Sequence, residues 1–108
     1  MKIPVDAVIP DEKLTKYLLL PRPWDDKSRF LAKAGFGLDN AEQLRDAIRM
    51  MAASVEAVSD GINAYGEFFR AEGELAGPSG VSLPVILIWI QWKMDGTMHF
   101  VTLKPRKV

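Results

Sequence analysis

The stretch VILIWIQWKMDGTMHFVTLK, residues 85–104, decides the fold. Two runs rich in β-branched and aromatic residues flank Asp95-Gly96, a dipeptide suited to a hairpin turn because glycine accepts the left-handed backbone. The longest uninterrupted apolar run, residues 85–90, is far too short to cross a bilayer as a helix. The two runs therefore read as paired antiparallel strands. A two-residue loop predicts Met94 opposite Thr97, and then Trp92 opposite His99, Ile90 opposite Val101 and Ile88 opposite Leu103. That set forms the expected dry face. The other face then carries Lys93 with Met98, Gln91 with Phe100, Trp89 with Thr102 and Leu87 with Lys104, a mixed surface suited to binding.

Working back toward the N-terminus, Gly61, Asn63, Gly66, Gly73 and the block Gly77-Pro78-Ser79-Gly80 punctuate further segments of strand character. Four strands are expected near residues 54–59, 65–76, 82–93 and 97–104, joined as a meander. Pro84 suggests an edge or a bulge in the third. Upstream the period is helical. Pro10-Asp11-Glu12 starts a first helix with Leu14, Tyr17 and Leu18 on its apolar side, stopped by Pro21-Arg22-Pro23. Asp25 or Asp26 caps a short second helix with the stripe Phe30, Leu31 and Ala34 and its exit at Gly35. Asp39 or Asn40 caps a third, with Leu44, Ile48, Met51 and Val55 on one face. The expected fold is α+β: two or three N-terminal helices packed on a C-terminal antiparallel meander of about four strands, in one domain over residues 1–108.

A chain of 108 residues has the size of one domain, and 48% hydrophobic with 26% charged residues is an ordinary globular composition. With no cysteine, thiol nucleophiles, disulfides and thiolate metal sites are excluded. His99 is the single histidine, so no metal site that needs two or more histidines can form within one chain, and its place near a hairpin tip against Trp92 makes a packed histidine, not a general base, the expectation. No metal or cofactor is expected. The N-terminal residues lack the apolar core of a secretory signal, so a cytoplasmic location with no membrane association is expected. Lysine plus arginine and aspartate plus glutamate both number 14, which gives no global basic excess for nucleic acid.

Lys27 stands out because a cation at the start of a helix opposes the dipole, and its spacing to Phe30 and Leu31 turns it toward the core face. It either snorkels to water and pairs with Asp25 or Asp26, or serves as a phosphate ligand or proton donor. Trp89 and Trp92 either fill the core or stack on bases. Lys104, Arg106 and Lys107 form a short basic terminus. The Gly77–Gly80 block is no phosphate loop, since no Gly-Lys-Ser/Thr follows it. Glu72 and Glu74 share a strand face, where solvation is their ordinary role.

Taken in order, Tyr17-Leu18-Leu19, Lys27-Ser28-Arg29-Phe30 with Gly35-Phe36, Tyr65-Gly66, Gly73-Glu74-Leu75 with Gly77-Pro78 and Gly80, Trp89, and Val101-Thr102 with Pro105 resemble a small bacterial domain-of-unknown-function family. That family occurs as stand-alone proteins and at the C-terminus of polymorphic toxins. Its layout is similar to the barnase, EndoU, colicin and RelE-like group of metal-independent ribonucleases. The resemblance implies Lys27 and Arg29 as helical cations and Trp89 and Thr102 as sheet residues around a scissile phosphate. Leu87 departs from the pattern where a hydroxyl residue is expected, and Lys104 where an aromatic is. On this basis Lys27 and Thr102 are the catalytic candidates, with Arg29, Trp89, Gln91 and Lys104 for substrate binding. RNA is one expected partner. The competing expectation is a non-catalytic antitoxin or immunity-type module that binds a cognate toxin, or an accessory homodimerising domain.

Overall fold

The computed structural model describes residues 1–23 and 26–107. Helices α1 (Asp11–Lys13), which continues into a π-helical turn (Leu14–Leu18), α2 (Ser28–Ala32) and α3 (Ala41–Ser54) precede the strands β1 (Ala57–Ile62), β2 (Gly66–Ala76), β3 (Ser82–Trp92) and β4 (Met98–Pro105). The strands form one antiparallel sheet in the order β1-β2-β3-β4. The chain is therefore α+β, with helices before a four-stranded meander.

β2 and β3 pair over their whole length, and the residue types on β2 decide which side faces the helices. Phe69, Ala71, Gly73 and Leu75 lie opposite Trp89, Leu87, Val85 and Leu83, while Phe68, Arg70, Glu72 and Glu74 lie opposite Ile90, Ile88, Ile86 and Pro84. Arginine and glutamate cannot be buried cheaply without partners, so the first row turns inward. Leu75, Val85, Leu87 and Trp89 are accordingly almost fully buried. This reverses the expected faces of the last hairpin: Trp89 belongs to the core, and Ile90, Trp92 and His99 stand on the open side.

The turn differs as well. Trp92 N–H bonds the Thr97 carbonyl at 2.9 Å and Gly96 N–H bonds the Trp92 carbonyl at 2.8 Å, so the loop holds four residues, not two. Gly96 takes φ +73°, and Asp95 accepts hydrogen bonds from both the Thr97 amide and hydroxyl. The pairing then runs Ile90 with His99 and Trp89 with Phe100, but Ile88 with Thr102. Val101 is a β-bulge residue, and the extra position brings Leu103 in line with Leu87 inside the core.

Helix α3 lays Leu44, Ile48 and Met51 on the sheet, with Met51 and Val55 over Gly73. Asn40 precedes α3 directly, but its side chain bonds back to Gly35 and Gly37 and makes no cap to the helix that follows. Residues 1–8 run from one sheet edge to the other. Met1 exchanges hydrogen bonds with Ala57 at the start of β1, Arg49 holds the carbonyls of Val5 and Ala7, and Val8 pairs with β4 beside His99.

The β2–β3 turn meets the end of α2 at backbone distance. A Cβ on Gly77 would lie 2.2 Å from the Ala34 carbonyl oxygen, and Ser79 N–H already bonds that oxygen at 3.1 Å. Gly77→Ala is expected to destabilise the fold by about 1–3 kcal/mol, lowering the melting temperature by several degrees or more. The exposed Val81→Ala should change little, and thermal unfolding of the two variants beside wild type checks it.

Candidate functional site

Lys27 sits one residue before α2, where Asp26 Oδ1 accepts from the Ser28 amide at 2.9 Å and from its hydroxyl at 2.5 Å. Asp26 thus forms an Asx-type turn onto Ser28, while the position directly before α2 is Lys27, which makes no side-chain cap; Asp25, the other expected cap, lies outside the described residues. The Ser28 hydroxyl foremost, with its amide and the nearby Arg29, holds the Asp26 carboxyl below the usual carboxylate range. The half-buried Lys27 then projects its ammonium to two hydroxyls, Tyr17 OH at 3.0 Å and Thr102 Oγ1 at 3.3 Å.

Each partner is placed by a local irregularity. Tyr17 lies in the π-helical turn, closed by the Leu19 N–H to Leu14 carbonyl bond at 2.8 Å, with Leu14 and Leu18 buried on either side of it. Thr102 follows the bulge residue Val101 and is paired with Ile88, whose alternation puts it on the side of Ile90 and Trp92. The Tyr17 ring also carries the Arg22 guanidinium at 4.6 Å and the Lys27 ammonium at 5.0 Å from its centroid. Two cations and two hydroxyls thus gather beside the open sheet face. An ammonium that already orders two hydroxyl groups has the charge and donor geometry that suit a phosphoryl oxygen.

The other expected site residues are dispersed. Arg29 is exposed on α2, 4.0 Å from Asp26. Trp89 is 1% exposed and packs edge-to-face on Phe100, with centroids 5.4 Å apart, so no ring face is open to a base. Among the described residues its indole N–H has no acceptor, and Trp89 lines a cavity of about 120 Å³ together with Ile3, Pro4, Val5 and Ala7. Gln91 Nε2 donates to the Gly96 carbonyl at 3.2 Å and braces the hairpin loop. Lys104 is exposed on β4, opposite Ile86. Glu72 is held by Arg70 and Glu74 by Arg106, and among the described residues no three acidic or histidine side chains gather where a metal ion could be held.

Tyr17 and Arg22 went unseen in the sequence as site residues. Tyr17 has the spacing of an apolar helix position, and Arg22 stands between two prolines that read as a connector; only the unusual density of Pro21-Arg22-Pro23 before Lys27 marked the place.

Helices on one sheet face and a cation–hydroxyl centre beside the other define an α+β domain with a single open face. Residues 4–107 match the family described as domain of unknown function DUF6883, and the chain belongs to that family. Comparison with curated proteins and with solved structures gave no significant match. No described helix is long and apolar enough to cross a membrane.

Lys27→Met, Tyr17→Phe and Thr102→Val are each expected to lower stability by about 1 kcal/mol. Urea unfolding of the Lys27–Thr102 double-mutant cycle should show a coupling of about 0.5 kcal/mol or more, and additive losses would mean that the contact is not made in solution. Asp26 carries a pH dependence of defined sign. Its folded-state pKa lies below the unfolded one, so its stabilisation is present at neutral pH and is lost as pH falls through the folded value. Wild type should be more stable than Asp26→Ala at pH 7, and the two unfolding curves should converge in acid below the ordinary carboxylate range.

Proposed function

We propose that this chain is a metal-independent ribonuclease whose scissile phosphate sits at Lys27, Tyr17 and Thr102. The observation that carries the reading is the meeting of Lys27 Nζ with Tyr17 OH and Thr102 Oγ1 at 3.0 and 3.3 Å, from parts of the chain as far apart as 75 residues. The resemblance in layout to metal-independent ribonucleases supports it further. In the proposed reaction the substrate's own 2′-hydroxyl attacks phosphorus, the new O–P bond closes a 2′,3′-cyclic phosphate and the bond to the 5′ oxygen breaks. The 2′-hydroxyl proton passes to solvent, and the leaving 5′ oxygen takes its proton from the Lys27 ammonium. Thr102 and Tyr17 donate to the phosphoryl oxygens as charge builds on them. Substrate contacts come from Lys104 and the open sheet face, and Trp89 has no part in them.

A second reading, a non-catalytic immunity-type or self-associating module, is favoured by the apolar hairpin tips: Ile62 is 76%, Tyr65 77% and Met94 89% exposed. Inducible expression in a bacterial host separates the two. Wild type should arrest growth and fragment RNA, and Lys27→Ala should cut less by roughly 100-fold or more. Intact RNA with folded wild-type protein, or equal cleavage by Lys27→Ala, would discard the catalytic reading.

A further inference from the structure

The open sheet face holds a groove of about 470 Å³ lined chiefly by Tyr65, Phe68, Ile90, Trp92 and Val101, with Asn63 at its polar edge. We infer that this groove is a nucleobase subsite, and that the chain takes single-stranded RNA with an unpaired base stacked on Trp92. The inference rests on the ribonuclease reading of the Lys27 centre and adds to it the strand state of the substrate and the residue that receives a base.

Four observations point to a base as the occupant. First, three of the lining residues are aromatic, and Trp92 is a prepared platform. Its indole is 41% exposed yet braced by the His99 imidazole at 4.1 Å and 16°, whose Nε2 is held by Thr97 Oγ1 at 2.8 Å, itself bonded to Asp95 at 2.7 Å. A braced ring loses little freedom when a second ring stacks on it. Second, Asn63 Oδ1 accepts from the Tyr65 and Gly66 amides, which fixes the amide orientation and leaves its NH₂ as the donor for an acceptor on a base edge. Third, the groove neighbours the Lys27 centre: Val101 lines it, and the next residue, Thr102, accepts from Lys27. Fourth, the acids near this face are paired, Asp60 and Glu72 sharing Arg70 and Glu74 taking Arg106, while Lys104 stands exposed toward the end of β4 as a cation for a phosphate of the RNA strand. A base in a duplex is stacked on both sides and cannot enter such a groove, so the strand must be unpaired.

The test is a fluorescence-anisotropy titration of a dye-labelled single-stranded oligoribonucleotide blocked at every 2′-oxygen by methylation, so that binding is read on the ligand and without cleavage. Wild type should bind the single strand well above the matching duplex. Trp92→Leu should lose affinity roughly 5- to 150-fold, Tyr65→Ala should lose less, and Trp92→Phe should keep most of it. Unchanged affinity in Trp92→Leu, or equal binding of duplex, overturns the inference; cleavage of the unblocked strand in that same case would leave the ribonuclease reading standing. Tight single-strand binding that depends on Trp92 without cleavage of the unblocked strand would keep the groove and remove the nuclease. No oligonucleotide binding, with self-association by sedimentation that Trp92→Leu abolishes, would overturn the inference in favour of an interface between copies.

Discussion

The full-length pairing of β2 with β3 is the constraint on which the rest of the molecule depends. Once Arg70, Glu72 and Glu74 must face away from the helices, Leu83, Val85, Leu87 and Trp89 on β3 must face them. β4 then has to supply Met98, Phe100 and Leu103 to the same layer, though Phe100 and Leu103 are separated by an odd number of positions. A regular strand cannot place both inside. The bulge at Val101 resolves the conflict, and in doing so leaves Val101 and Thr102 side by side at the open face. The candidate centre is thus a by-product of core packing: the extra residue that seats Leu103 also presents Thr102 to Lys27.

The helical half contributes by a similar irregularity. A regular helix over the whole first segment would bury residues three and four apart. The π-helical turn buries Leu19, five residues after Leu14, together with Leu14 and Leu18, and leaves Tyr17 half-buried between them. Asp26 spends its oxygen on Ser28, which fixes where α2 begins and therefore where Lys27 leaves the backbone. A bulge on one side and a widened turn on the other converge on one ammonium. Each local departure from regular structure is anchored by buried side chains, Leu14 and Leu18 in the π-turn and Phe100 and Leu103 around the bulge.

This explains what was legible in the sequence. The element order, the meander and the inward face of α3 follow from periodicity and turn residues, because those signals repeat along several turns or strands. The faces of the last hairpin were not legible from that hairpin alone: residues 85–90 are apolar on both sides, so alternation there carries no sign, and the assumed two-residue loop added a wrong register. The sign was present one strand earlier, in the alternation of Phe68-Phe69-Arg70-Ala71-Glu72, and reading β3 against β2 instead of against β4 would have placed Trp89 inside. Lys27 was legible as an odd residue because a cation before a helix conflicts with the dipole. Its partners were not, because bulges and π-turns leave almost no mark on composition or period.

The zero net charge illustrates how little a whole-chain sum says about a site. Screening confines exposed charges to about 10 Å at ordinary ionic strength, so what a ligand meets is the local arrangement. Here the acids of the open face are held by Arg70 and Arg106, and Asp11 is held by Arg45 on the helical side. Arg45, Arg70 and Arg106 are thereby committed to acids, while Arg22 and Lys27 gather at the Tyr17 ring and the Lys27 ammonium also reaches the Tyr17 and Thr102 hydroxyls. A neutral chain built this way still gathers an arginine and a lysine at one aromatic ring, a local arrangement that the whole-chain sum does not reveal.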